Sequence, residues 1–180
     1  IDSEPETWNM CPVALEEAIT EGISKGKKPK AIIVVHLYGM PAKLHEISEI
    51  AKKHEIPLIE DAAEALGSTY KGQKCGTFGE MSILSFNGNK IITRDNAPHY
   101  QHSEIGYNYR MSNISAGIGR GQMEVLNDRV EARRKNHQFY AELFKDFEGI
   151  TLFTEPSPDF YSNHWLSAIV VDAAKAGFNR

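Results

Sequence analysis

Two cysteines in 180 residues are too few for a disulfide framework, and Cys11 and Cys75 form no CxxC pair. Reduced thiols are expected, as in a cytoplasmic protein. Long apolar runs are missing too: the longest, Ala31 to Val35, falls far short of the roughly 20 residues that a membrane-spanning helix needs. No charged-then-apolar leader opens the chain, so neither a membrane nor export is expected. Positive charge is not in excess. With 20 Lys and Arg against 24 Asp and Glu, the net charge is -4 and the pI near 6.0, which gives no footing for nucleic acid. Lys25, Lys27, Lys28 and Lys30 make the one basic run, in a Gly- and Pro-punctuated connection that reads as solvated loop. His99 and His102 are closely spaced but lack a matching second pair, so no metal site is expected. Internal repeats and low-complexity tracts are absent.

A composition of 41% hydrophobic and 24% charged residues can build a real core. Pro12 stands at a favoured first helical position, and Leu15, Ala18, Ile19 and Ile23 recur at helical spacing, which predicts a helix to about Ser24. Ala31 to Val35 is β-branched without alternation, the pattern of a strand buried on both faces of a parallel sheet. A helix opened by Pro41 follows, with Leu44, Ile47, Ile50 and Ala51 on one face, and then the strand Pro57-Leu58-Ile59. Strand, helix and strand make a βαβ unit, so the fold class is α/β with a mainly parallel sheet. His36 and Tyr38 sit where that sheet would bind ligands, with packing residues as the alternative reading. Thr69 to Gln73 predicts a short strand and turn, and Gly76-Thr77-Phe78-Gly79 is either a ligand-approaching turn or a plain connection. Farther on, apolar spacing from Ile118 to Phe147 predicts one long helix that Gly149 stops, with strands at Thr151 to Phe153 and Trp165 to Val171. Gly117, Gly119 and Gly121 fall inside the helical pattern and serve close packing rather than a dinucleotide loop. Ser112 or Asn113 would cap that helix.

Chemistry concentrates in two stretches. In Met81 to Thr93, the run Ile83-Leu84-Ser85-Phe86 reads as a strand, Asn87-Gly88-Asn89 turns it, and Lys90 follows against Ile91-Ile92. An amine among apolar neighbours is costly to keep charged, and the neutral amine forms a Schiff base with a carbonyl cofactor. A solvated surface lysine is the alternative. The other stretch, Pro57 to Ser68, places Glu60-Asp61 at a strand's carboxyl end, followed by Ala62, Ala63 and Ala65. Pyridoxal 5'-phosphate asks for this set of parts: a lysine, a carboxylate for the pyridinium nitrogen, small groups beside the ring and a phosphate anchor. Lys90, Asp61 and Ser85 fill those roles in order.

His36 to Gly39 (HLYG), IEDAAEALGS, GTFG, SFNGNKIIT and Gly106 to Asn113 (GYNYRMSN) together resemble the DegT/StrS family of nucleotide-sugar aminotransferases. EDAAEALGS and SFNGNKIIT resemble the members that aminate UDP-linked 4-keto-6-deoxy-N-acetyl sugars for bacterial glycans. The resemblance implies a three-layer fold-type I large domain and a small C-terminal α+β domain. On that basis residues 1-130 are part of the cofactor-binding domain, and 131-180 are an interdomain helix and the start of the small domain. It implies transamination from glutamate, with Lys90 as the catalytic proton carrier and Glu64 near the phenolic oxygen of the cofactor. A carboxylate at Glu64 replaces the usual glutamine or histidine and needs either a proton of its own or a donor beside it. Asn108 would reach the cofactor phosphate of a neighbouring subunit, making a homodimer with shared active sites. At Thr93-Arg94 a Gly-rich segment, a strand and a helix of the family pattern are absent, either because residues are missing there, which is the favoured reading, or through a true deletion; an opening segment with a phosphate-cradling Gly-Thr turn is absent too, so the chain reads as incomplete. Two competing readings are a family dehydratase, which has histidine in place of Lys90, and a non-catalytic, cofactor-binding regulatory homologue.

Overall fold

The computed structural model describes residues 1–85 and 113–178. Helix α1 (Pro12–Ser24) begins at its proline and buries Leu15 and Ile19, one turn apart. Strand β1 (Ile32–Val35), helix α2 (Leu44–Lys53) and strand β2 (Leu58–Asp61) form the βαβ unit. α2 carries Glu46 in its first turn and Lys52 and Lys53 in its last, each at the helix end its charge favours. It starts three residues after Pro41, since Lys43, with φ -72° and ψ 68°, is still outside the helical region, and the Ala42 amide before it donates to His36 Nδ1 at 3.1 Å. Strands β3 (Thr69–Tyr70) and β4 (Gln73–Lys74) make a tight hairpin, and β5 (Met81–Ile83) completes a parallel sheet in the order β1-β2-β5.

The predicted long helix is two helices, α3 (Asn113–Glu124) and α4 (Leu126–Phe144), separated at Val125, whose φ of -109° and ψ of 12° leave the helical region. Beyond the break α4 seats buried Val130 against Gly67. Strand β6 (Ile150–Leu152) pairs antiparallel with β8 (Ile169–Val171), while β7 (Phe160–Tyr161) adds to β3. A short helix, α5 (Ala173–Ala176), closes the described chain under an Asp172 cap. β8 is shorter than the predicted strand from Trp165, whose amide goes instead to Asn163 Oδ1 at 2.8 Å.

The parallel sheet is not buried on both faces. Ile32, Val34 and Leu58 pack with Leu15 and Ile19 of α1 and Leu44 and Ile47 of α2 in one dry cluster. On the other face Ile33 is 56% and Val35 44% exposed, as are Met81 at 60% and Ile83 at 51%. The expectation for this strand is therefore corrected: in this chain the described helices α1 and α2 cover one face. Both cysteines are free, as expected. Among the described residues no helix is long and apolar enough to cross a membrane, and no group of side chains is arranged to hold a metal ion. His99 and His102 lie outside the described residues.

Candidate active site

Successive side chains of a strand point to opposite faces. The dipeptide Glu60-Asp61 therefore sends its carboxylates in opposite directions. Asp61 stands in register with Val35 on one side and Ile83 on the other, on the open apolar face. Its Oδ1 accepts from the Ala63 amide at 3.1 Å, and among the described residues no donor reaches Oδ2. The main chain is fixed on both sides: Asp61 O accepts from His36 N at 3.1 Å, and Ala62 N donates to Ile83 O at 3.0 Å.

Glu60 is fully buried beneath the same strand. Its Oε1 accepts from the amides of Phe78 (2.6 Å) and Gly79 (2.8 Å), and Oε2 from Gly76 (2.7 Å) and the His36 ring at 3.2 Å. Because His36 Nδ1 accepts from Ala42, its Nε2 carries the proton and donates to Glu60. Burial pushes the Glu60 carboxyl up, but the His36 hydrogen bond and the three amides overcome it and hold the group below the usual carboxylate range. Burial, then the Glu60 charge, pushes the neighbouring Cys75 thiol up to about 12, so that thiol is inert. The GTFG turn is thus a clasp whose donors face inward. Gly79 is required, since a Cβ there would lie 2.4 Å from Leu58 O. Sequence reasoning gave Glu60 no role, although an acid two residues after Leu58, on the inward side of the strand, is the signal for a buried, paired carboxylate.

Three residues past Asp61, Glu64 Oε2 accepts from the Tyr38 amide at 2.9 Å. This supplies the donor that a carboxylate at this position needs. Tyr38 has φ 58° and ψ 20°, a left-handed conformation that costs a non-glycine residue of order 1 kcal/mol or more and survives only where neighbours over-determine it. Asn9 does part of this, taking the Leu37 amide on Oδ1 (2.8 Å) and donating to Met40 O (3.0 Å). Ser68 Oγ donates to Gly39 O at 2.7 Å. The half-buried Tyr38 ring meets Trp8 edge-on at 6.4 Å, and Trp8 stacks on Phe153 at 3.9 Å.

The structure brings Asp61 and Glu64 together with His36 and Tyr38 at the carboxyl ends of β1 and β2. Ser85 is half-buried, two residues beyond β5, which begins at Met81 and ends at Ile83 rather than running from Ile83 to Phe86. Lys90 and Asn108 lie outside the described residues.

A second polar cluster backs this site. Glu155 Oε1 accepts from Arg134 Nη1 (2.6 Å), Ser162 N (3.2 Å) and His164 Nε2 (3.2 Å). Burial raises the Glu155 carboxyl, but the His164 and Arg134 hydrogen bonds win and hold it far below its ordinary value. His137 stacks on His164 at 3.6 Å, and neither of its ring nitrogens has a hydrogen-bond partner among the described residues. Burial, reinforced by His164, lowers its pKa to about 4. Alongside, a cavity of about 430 Å³ is lined by Arg133, Asn136, His164 and Trp165, with the Arg133 guanidinium 4.3 Å from the Trp165 ring.

Comparison with known proteins gives this geometry a family. The sequence matches the DegT/DnrJ/EryC1/StrS aminotransferase family over residues 1–97 and again over 93–180. It is 46% identical to the "Putative pyridoxal phosphate-dependent aminotransferase EpsN" of Bacillus subtilis, across 96% of this chain and 50% of that protein. It is 36% identical to GDP-perosamine synthase of Escherichia coli O157:H7, across 97% of this chain and 52% of the relative. Among solved structures, a DegT DnrJ EryC1 StrS aminotransferase from Brucella abortus superposes with a TM-score of 0.75 at 27% identity, over 94% of this chain and 52% of the other. The chain thus spans about half the length of the curated relatives it matches. On this sequence match, carried by an α/β fold whose parallel strands present Asp61 and Glu64 at their carboxyl ends, the chain belongs to the DegT/DnrJ/EryC1/StrS aminotransferase family.

Proposed function

We propose that the protein of which this chain forms the site is a pyridoxal 5'-phosphate-dependent aminotransferase that moves an amino group from glutamate to the keto group of a nucleotide-linked sugar. The observation that carries this reading is Asp61: a strand-end carboxylate between Val35 and Ile83 on an open apolar face, with Oδ2 given no donor among the described residues. Such a group fits a protonated pyridine nitrogen. Small, half-buried Ala63 leaves room for a flat ring beside it. When bound, pyridoxal phosphate supplies an electron sink for the carbanion at the donor carbon. Asp61 holds a proton on the ring nitrogen, Glu64 stands near the phenolic oxygen with the Tyr38 amide as its fixed donor, and Ser85 donates to the phosphate. Lys90 carries the amine and moves the proton.

The finer reading is a UDP-linked 4-keto-6-deoxy sugar in bacterial glycan, exopolysaccharide or lipopolysaccharide synthesis, in the cytoplasm, by a homodimer in which Asn108 reaches the cofactor phosphate of the neighbouring subunit. Residues 1-130 belong to the cofactor domain and 131-180 to the interdomain helix and the start of a small domain. A segment of the family pattern is missing near residues 92-94. In support, 197 aligned positions against 96% of a 180-residue chain leave about two dozen residues of the Bacillus relative facing none here.

Borohydride reduction of the purified protein with pyridoxal phosphate, followed by peptide mapping, tests the assignment. A pyridoxyl adduct on the Lys90 peptide is expected, together with complete loss of turnover in Lys90→Ala. No adduct at saturating cofactor, or turnover in the variant, overturns it. Offering UDP- and GDP-linked keto sugars in parallel decides the nucleotide, and light scattering of the purified protein decides the dimer.

A further inference from the structure

We propose that Asn163 is a positioning residue for the cofactor-facing turn, coupling the segment that follows α4 to Glu64 and Tyr38. This rests on the reading of Glu64 given under Proposed function. Asn163 comes from nearly 100 residues downstream, yet it is 1% exposed, and its backbone amide and both ends of its side-chain amide are matched. Its Nδ2 donates to Glu64 O at 2.7 Å and to Leu66 O at 2.9 Å. The backbone amide donates to Ser68 Oγ at 2.9 Å, and Ser68 passes the connection to Gly39 O. Oδ1 accepts from Trp165 N. The side chain also fills the space over Gly39: a Cβ on that residue would lie 1.9 Å from Asn163 Oδ1. Tyr38, the strained residue, sits between these holds, with its own amide on Glu64.

On the other side, the same segment is bolted to α4. Arg134 Nη1 donates both to Glu155 and to Ser162 O at 2.5 Å, and His164, at φ 46°, is held by Glu155. Segment 155–165 is thus a bracket with α4 on its outer side and the Glu64 turn on its inner side. A displacement of α4 reaches Glu64 through Asn163 because the matched donors and acceptors leave no slack between them. Asn163 touches neither substrate nor cofactor in this arrangement; it acts through Glu64 and Tyr38.

Amide hydrogen exchange on the cofactor-free chain, comparing the wild type with Asn163→Asp, is the first arm of the test. Aspartate keeps the shape but replaces the donor to Glu64 O and Leu66 O with an acceptor. The Tyr38 amide is expected to exchange about tenfold faster, the scale of one net hydrogen bond, while Ile47 and Ala51 in α2 stay unchanged. Unchanged exchange at Tyr38, or uniform acceleration that includes α2, overturns the proposal. If Asn163→Asp fails to fold, Ser68→Ala removes one relay of the same bracket and is read at the same amides, with a smaller local acceleration expected and no change overturning the coupling. With pyridoxal phosphate added, the pH midpoint of visible absorption is expected to shift in the variant, which a merely structural asparagine would not cause; an unshifted midpoint overturns the link to Glu64. A wild type that binds no cofactor defeats the proposed function, whereas the exchange arm still decides the bracket.

Discussion

The two faces of the β1-β2-β5 sheet differ in how much of the molecule they need. Under α1 and α2, Ile32, Val34 and Leu58 meet Leu15, Ile19, Leu44 and Ile47 in a closed core, and the one carboxylate there, Glu60, has four donors. Across the same backbone, Ile33, Val35, Met81 and Ile83 are exposed around Asp61. Glu60 and Asp61 are chemically alike and adjacent, so environment alone divides their roles. Glu60 is saturated by internal donors and holds structure, while Asp61 Oδ2 has no donor among the described residues.

Replacing each carboxylate breaks or confirms that division. Glu60→Ala strands three amides and the His36 ring in the core and should cost on the order of 3–5 kcal/mol in urea unfolding. Asp61→Asn should change stability by less than about 0.5 kcal/mol while abolishing the visible absorption of added pyridoxal phosphate or its turnover. Equal destabilisation by the two would erase the distinction. Apolar truncations sharpen the comparison: Leu15→Ala should cost about 2–5 kcal/mol in the same assay, whereas Ile33→Thr on the open face should stay within about 0.5 kcal/mol. A cost at Ile33 comparable with that at Leu15 would mean that the open face is covered in solution.

The smaller effect is a pH dependence located away from both faces. His137 is buried neutral, with its folded pKa lowered from 6.5 to about 4. A lowered histidine pKa means that the unfolded chain takes up the proton first, so the stability it contributes is present above pH 6.5 and is lost as pH falls from there toward 4. Glu155 adds to the decline below its ordinary value of 4.5, because its folded pKa is depressed. His137→Leu should therefore flatten the unfolding midpoint between pH 6.5 and 4, a change on the order of 1–3 kcal/mol. An unaltered slope would show that His137 is not buried neutral.

Local patterns were legible from the residues. Helical spacing located α1 and the apolar face of α2, and glycine and the hairpin residues Lys71 and Gly72 marked the β3-β4 turn. The position of Asp61 was legible as well: the sequence placed it at the carboxyl end of a parallel strand, and β2 ends there. Val125 was not, since an apolar pattern continues through it and nothing in its side chain forces φ away from helix. The start of α2 was misplaced for a similar reason: Pro41 permits a helix, and nothing in the Lys43 side chain signals the non-helical ψ of 68° that delays it to Leu44.

The sequence by itself determined the βαβ unit of β1, α2 and β2 and the ordered motifs that carry family membership, because these depend on neighbours within a few residues and on composition. Only the tertiary structure decided that Glu60, of the two adjacent carboxylates, is held by the clasp while Asp61 lies on the opposite, open face, and that Asn163 closes on a turn nearly 100 residues earlier. Those outcomes depend on which donors the folded chain delivers to each oxygen. Glu60 meets the Gly76, Phe78 and Gly79 amides only once β5 has paired with β2, and Asn163 meets Glu64 only once β7 has joined β3.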